Sequence, residues 1–191
     1  MEGDSLTLTR MEKTFDPRHL DVKAFAQAGA ELQGQSSLAQ WPRLLDEQMA
    51  GSQGQQHQVR WRLRGLITPV TGGVPRIGMS IAAAVDLPML CQRCLTEVVE
   101  PVQAERTFVF VADEATAEAL DEESEEDVLV LSRDFDALSL VEDELILALP
   151  LVPRHEVCPQ TMPDAVEDEA FEEASQRPNP FAKLAVLKKG S

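Results

Sequence analysis

Two groups of residues in this chain have the types and spacing to do chemistry. The first is Cys91-Gln92-Arg93-Cys94, with His155 and Cys158 further along. A C-x-x-C in a tight turn can point two thiolates at one metal ion, and a second pair arriving from elsewhere would complete a tetrahedron. His155 and Cys158 are the one plausible second pair, and a donor set of soft Cys and His ligands suits zinc. Buried reduced thiols, a redox pair and the remnant of a lost zinc knuckle compete with that reading. A redox C-x-x-C of the thioredoxin kind belongs at the start of a helix, whereas this one lies between strands. The second group is Arg60, Arg62 and Arg64, at alternate positions, with Arg76 and Arg93 further on. Alternate residues of a strand share a face, so this is a cationic stripe that can neutralise phosphates. A solvated outer face, guarded by charge against edge pairing, is the competing reading.

Catalytic constellations are missing. The sequence has no Gly-rich phosphate loop, no G-x-S-x-G and no H-E-x-x-H, and His19, His57 and His155 are scattered along it. The chain reads as a non-enzyme without a small-molecule substrate. Its net charge of −16 opposes contact with nucleic acid overall. The charge is concentrated, however: residues 113–127 read DEATAEALDEESEED and a second acidic block spans 164–173, which leaves the remainder close to balance. No apolar run approaches the ~20 residues of a membrane span, and the opening residues lack the pattern of a secretory signal, so a cytoplasmic protein without membrane association is expected. Three cysteines in such a compartment do not make a disulfide framework.

The elements that must position these groups follow from periodicity. Residues 21–30 and 37–49 carry apolar side chains at helical spacing, with Pro42 suited only to a first turn. From residue 59 the period becomes two: Val59, Trp61, Leu63, Gly65 and Ile67 alternate with the arginines. A turn at Thr71-Gly72-Gly73 leads into a second alternating stretch over 77–87, and a third covers 98–111. Residues 127–132 are a candidate further strand, and 113–127 carry too much like charge to order themselves, which predicts a mobile acidic loop. Leu138, Val141, Leu145 and Leu149 share one helical face, closed by Pro150. The expected fold is α+β: an antiparallel β meander of three to five strands packed with short helices, an acidic flexible loop and a C-terminal helical tail. Residues 1–20 read as irregular and 160–191 as an extension whose Phe181, Leu184 and Leu187 repeat at helical spacing among Lys183, Lys188 and Lys189.

Three ordered blocks carry a family resemblance: LCQRCLTEVVEPV at 90–102, LVEDELILALPLVPRH at 140–155 with Cys158 after it, and RPNPFAKLAVLKK at 177–189. Together they resemble the YceD family, over roughly the last two-thirds of the chain. By position, Cys91, Arg93 and Cys94 match the first block, His155 and Cys158 the end of the second, and Pro178, Asn179, Pro180 and Phe181 the third. The resemblance implies one YceD-like domain over 1–191 and a cytosolic bacterial factor needed for normal levels of large-subunit ribosomal RNA, acting in its synthesis, processing or stability. Precursor rRNA or an early pre-ribosomal particle is then the implied partner, with Arg60, Arg62, Arg64, Arg76, Arg93, Lys183, Lys188 and Lys189 as candidate RNA contacts. The alternative is an acidic protein-binding module that chaperones a basic ribosomal protein. Some members carry further cysteines after the second block; this chain does not.

Overall fold

The computed structural model describes residues 14–52, 56–70, 72–121 and 127–159. The chain divides into two compact units, Met1–His155 and Glu156–Ser191, and of the second only 156–159 are described. The first unit is built on a five-stranded sheet in the order β1-β2-β3-β4-β5. Its strands are β1 (Glu31–Ser37), β2 (Gln58–Thr68), β3 (Arg76–Leu90), β4 (Glu97–Val111) and β5 (Asp127–Val130). The first four pair antiparallel; β5 pairs parallel to β4, which makes the sheet mixed. Parallel neighbours need a crossover, and α3 (Glu114–Asp121) supplies it.

Period-two alternation decides which face is covered. Val59 and Leu63 of β2, Met79, Ile81, Val85 and Leu87 of β3, and Val98, Val102, Phe108 and Phe110 of β4 are buried together. On them lie α1 (Val22–Gln27) and α4 (Ala137–Leu147), with α2 (Pro42–Asp46) packed on α4. Gly65 lets α1 come that close: a Cβ there would lie 2.7 Å from the Ala26 Cα and from the Phe25 carbonyl oxygen. Asp21 and Asp136 cap α1 and α4 by accepting from the Ala24 and Ser139 N–H groups. The cap of α2 comes from elsewhere. Buried Glu142 of α4 accepts from the Arg43 and Leu44 N–H groups at 2.9 and 3.1 Å and from Arg43 Nε at 3.1 Å.

Two expectations need correction, and one strand had no counterpart in the sequence reading. Residues 37–49 are not one helix: Ser37 caps a 3-10 turn over Leu38–Gln40, and the chain restarts as α2 with Pro42 in its first turn. The 31–37 stretch is an edge strand, β1, which the sequence hides because ELQGQSS has no β-branched or aromatic residue. Its inner side is filled from the neighbouring strand, since the Trp61 ring lies over Gly34, 2.4 Å from where a Cβ would sit. Within the expected acidic loop, Glu114–Asp121 is the helix α3, for which Asp113 accepts from the Thr116 N–H and Ala117 supplies a buried side chain. Residues 122–126 fall outside the described residues. Among the described residues, no helix is long and apolar enough to cross a membrane.

Candidate functional site

The cysteine turn is made where β3 hands over to β4. Cys91 N–H donates to the Thr96 carbonyl and Leu95 N–H to the Cys91 carbonyl, both at 2.9 Å, and Leu95 takes a left-handed φ of 56° to close the loop. The segment after α4 returns to the same end of the sheet. Gln92 N–H donates to the Pro153 carbonyl and Arg93 Nη2 to the His155 carbonyl, both at 2.9 Å. These bonds put His155 Nδ1 3.4 Å from Cys94 Sγ. With Cys158, three residues further on, the donor atoms of Cys91, Cys94 and His155 form a group all within 4.8 Å of one another.

This set fits zinc. Tetrahedral Zn–S bonds of ~2.3 Å place sulfurs ~3.8 Å apart, so the donors need only a small contraction to share an ion. Cys91 and Cys94 are 0% and 4% exposed. Burial pushes the Cys91 thiol up, but hydrogen bonds from the backbone of Cys94, His155 and Arg93 and from the Cys94 side chain outweigh it and bring it down to about 5. Donors of that kind hold a ligand sulfur as thiolate at neutral pH. His155 is raised from its ordinary value, chiefly by its hydrogen bond with Cys91, with burial opposing. A thiolate with no surface open to solvent suits a structural ligand better than a nucleophile.

The arginines occupy the sheet face opposite α1 and α4. Arg60, Arg62 and Arg64 are all exposed. Registers align them in rows across four strands: Gln35, Arg60, Ala84 and Gln103 in one, and Gln33, Arg62, Ala82 and Glu105 in the next. A third row holds Glu31, Arg64, Ser80 and Thr107. Arg62 Nε lies 3.4 Å from Glu31 Oε1. Among the described residues Arg60 and Arg64 form no ion pair. The three arginines thus stand together on one face, with Arg62 alone of them paired to a carboxylate among the described residues.

Of the other candidates, Arg76 begins β3 opposite Thr68, at the far end of the same face. Arg93 belongs to the cysteine turn and not to the stripe. Lys183, Lys188, Lys189 and the 178–181 motif lie outside the described residues. Sequence reasoning missed the small residues of β3 and the glutamines of β1 and β4 that flank the arginines. An alternating Ser80, Ala82, Ala84 beside a cationic strand was the available signal.

The profile of a family described as "Large ribosomal RNA subunit accumulation protein YceD" matches residues 79–188. That span contains the cysteine turn, α4 and the His155 segment, and begins after β2. A curated Haemophilus influenzae protein with the same description is 40% identical over 106 residues, which cover 54% of this chain and 61% of the relative. The match thus spans less than two thirds of that protein's length. No solved structure matches.

Proposed function

Because the chain belongs to the YceD family, we propose that it is a non-enzymatic, cytoplasmic ribosome-biogenesis factor that supports the synthesis, processing or stability of large-subunit ribosomal RNA. It does so by contacting precursor rRNA or an early assembly particle through the arginine face of its sheet. One observation carries the reading: a chain of net charge −16 keeps Arg60, Arg62 and Arg64 in register, all exposed, on the sheet face opposite α1 and α4. Surface charge that serves only solubility has no reason to gather the minority sign in one stripe.

The Cys91, Cys94, His155 and Cys158 cluster takes a structural zinc in this reading. Zinc there would fasten the segment after α4 to the β3–β4 turn. Arg76 continues the cationic edge, and Lys183, Lys188 and Lys189 add positive charge from the C-terminal extension. The exposed Glu114 and Glu118 of α3 favour a second reading, in which acidic surface engages a basic ribosomal protein. Crosslinking in cells, followed by identification of both attached RNA and attached protein, separates the two. Large-subunit rRNA crosslinked at β2 supports direct contact; a basic ribosomal protein alone, surviving nuclease treatment, overturns it in favour of the second.

A further inference from the structure

The sheet face that carries the arginines has relief as well as charge. Long arginines stand on β2, while Ala82 and Ala84 of β3 rise barely above the backbone, and Gln103 of β4 closes the other side. The result is a shallow trough of about 680 Å³, inside the ~300–1,000 Å³ range of ligand sites. Strands stand ~4.8 Å apart, so Arg60 and Gln103 face each other across about 10 Å, with alanine methyl groups as the floor.

The chemistry of the trough differs from that of a general polyanion surface. Its walls carry two guanidinium groups, Arg60 and Arg62, and the carboxamides of Gln33, Gln35 and Gln103. No carboxylate is among the residues that line it, but Glu105 of β4 ends the Arg62–Ala82 row at its margin, and Glu31 stands in the next row. Carboxamides offer a donor and an acceptor side by side, which is the pattern of a base edge. Flat methyl floors and guanidinium planes accept the face of a ring. A duplex shows its phosphates, hydroxyl groups and groove edges but keeps its base faces stacked, so it cannot fill such a seat.

We infer that this trough seats an unstacked base of single-stranded RNA, with the ring over Ala82 and Ala84, a guanidinium of Arg60 or Arg62 against it or on the adjoining phosphate, and the glutamines on its edge. The inference rests on the proposed RNA contact and narrows its ligand to single strands.

The test measures binding of the full chain to a fluorescent single-stranded RNA oligomer, to the same oligomer in duplex, and to an oligoglutamate of equal length. Ala84→Leu fills the trough and leaves every charge in place. It is expected to weaken single-strand binding about tenfold, the scale of losing one base seat, with duplex binding and the salt slope unchanged. Gln103→Ala, at an exposed position where packing is not at stake, should weaken it in the same direction and alter base preference. Duplex or oligoglutamate binding as tight as that of the single strand overturns the inference, as does unchanged affinity in both variants. If replacing the three β2 arginines by glutamine still lowers affinity while Ala84→Leu and Gln103→Ala are silent, the base seat falls and the RNA contact stands. If the arginine replacements are silent too, the RNA contact itself falls.

Discussion

Replacing Glu142 by glutamine tests how α4 holds α2 in place. Glu142 is 6% exposed, and its two oxygens do separate jobs. Oε1 accepts from the Arg43 and Leu44 N–H groups at the start of α2, and Oε2 accepts from Arg43 Nε. Glutamine can keep its oxygen on the two N–H groups only by turning its NH2 toward the guanidinium. The ion pair with half-exposed Arg43 is then lost, at about 1 kcal/mol after solvent screening. The two backbone bonds drop from charge-assisted to neutral, about half a kcal/mol each. The expected loss is about 2 kcal/mol. Alanine would strand the buried Leu44 N–H as well and cost about 3–4 kcal/mol. Urea unfolding at neutral pH reads this as a midpoint lowered by about 1 M for Glu142→Gln, with the slope unchanged. Arg43→Ala should then cost about 1 kcal/mol less in the Glu142→Gln background than in the parent. A Glu142→Gln midpoint indistinguishable from the parent, or no such coupling, refutes the cap.

Other outcomes follow from the same contacts. Gly65→Ala should destabilise by about 3 kcal/mol in urea unfolding, because its methyl group meets the backbone of α1 and not a movable side chain; Gly29→Ala, with nothing within 4 Å, should cost only its left-handed φ, about 1 kcal/mol. Protein purified without a tag should carry one zinc per chain by elemental analysis, and Cys94→Ser should abolish it; a full complement of titratable thiols with no metal would contradict the centre. In chelator-treated protein, thiolate absorbance should show one cysteine ionising at about pH 5 and not at its ordinary value near 9. Its depressed value stabilises the fold above the ordinary pKa, and that contribution disappears as the pH falls through about 5. Cys91→Ser should remove the low step.

The arginine stripe and the long strands were readable because their sign and apolarity alternate strictly: the expected 59–67, 77–87 and 98–111 segments lie within β2, β3 and β4. The α4 helix was readable for the corresponding reason, at a period of 3.6. β1 was not, because its inner side is filled by Trp61 of the next strand and Gly34 carries no signal of that. The direction of β5 was equally hidden, since the chain reverses inside an acidic stretch whose α3 depends on packing against β4 and β5. For the cysteine cluster, ligand types and spacing were legible, but convergence was not. That depends on main-chain bonds from Gln92 to Pro153 and on the bond from Arg93 to the His155 carbonyl, which no side-chain pattern encodes. The trough was illegible because it is defined by what its floor residues lack.

The most direct test of the account is the salt dependence of single-stranded RNA binding by the parent chain and by Arg60→Gln/Arg62→Gln/Arg64→Gln. Each phosphate neutralised contributes about −0.7 to the slope of log affinity against log salt concentration. With Arg62 partly satisfied by Glu31, the triple replacement should flatten the slope by roughly 1.5–2 and weaken binding at low salt. Parallel lines for the two proteins, at equal affinity, would contradict it.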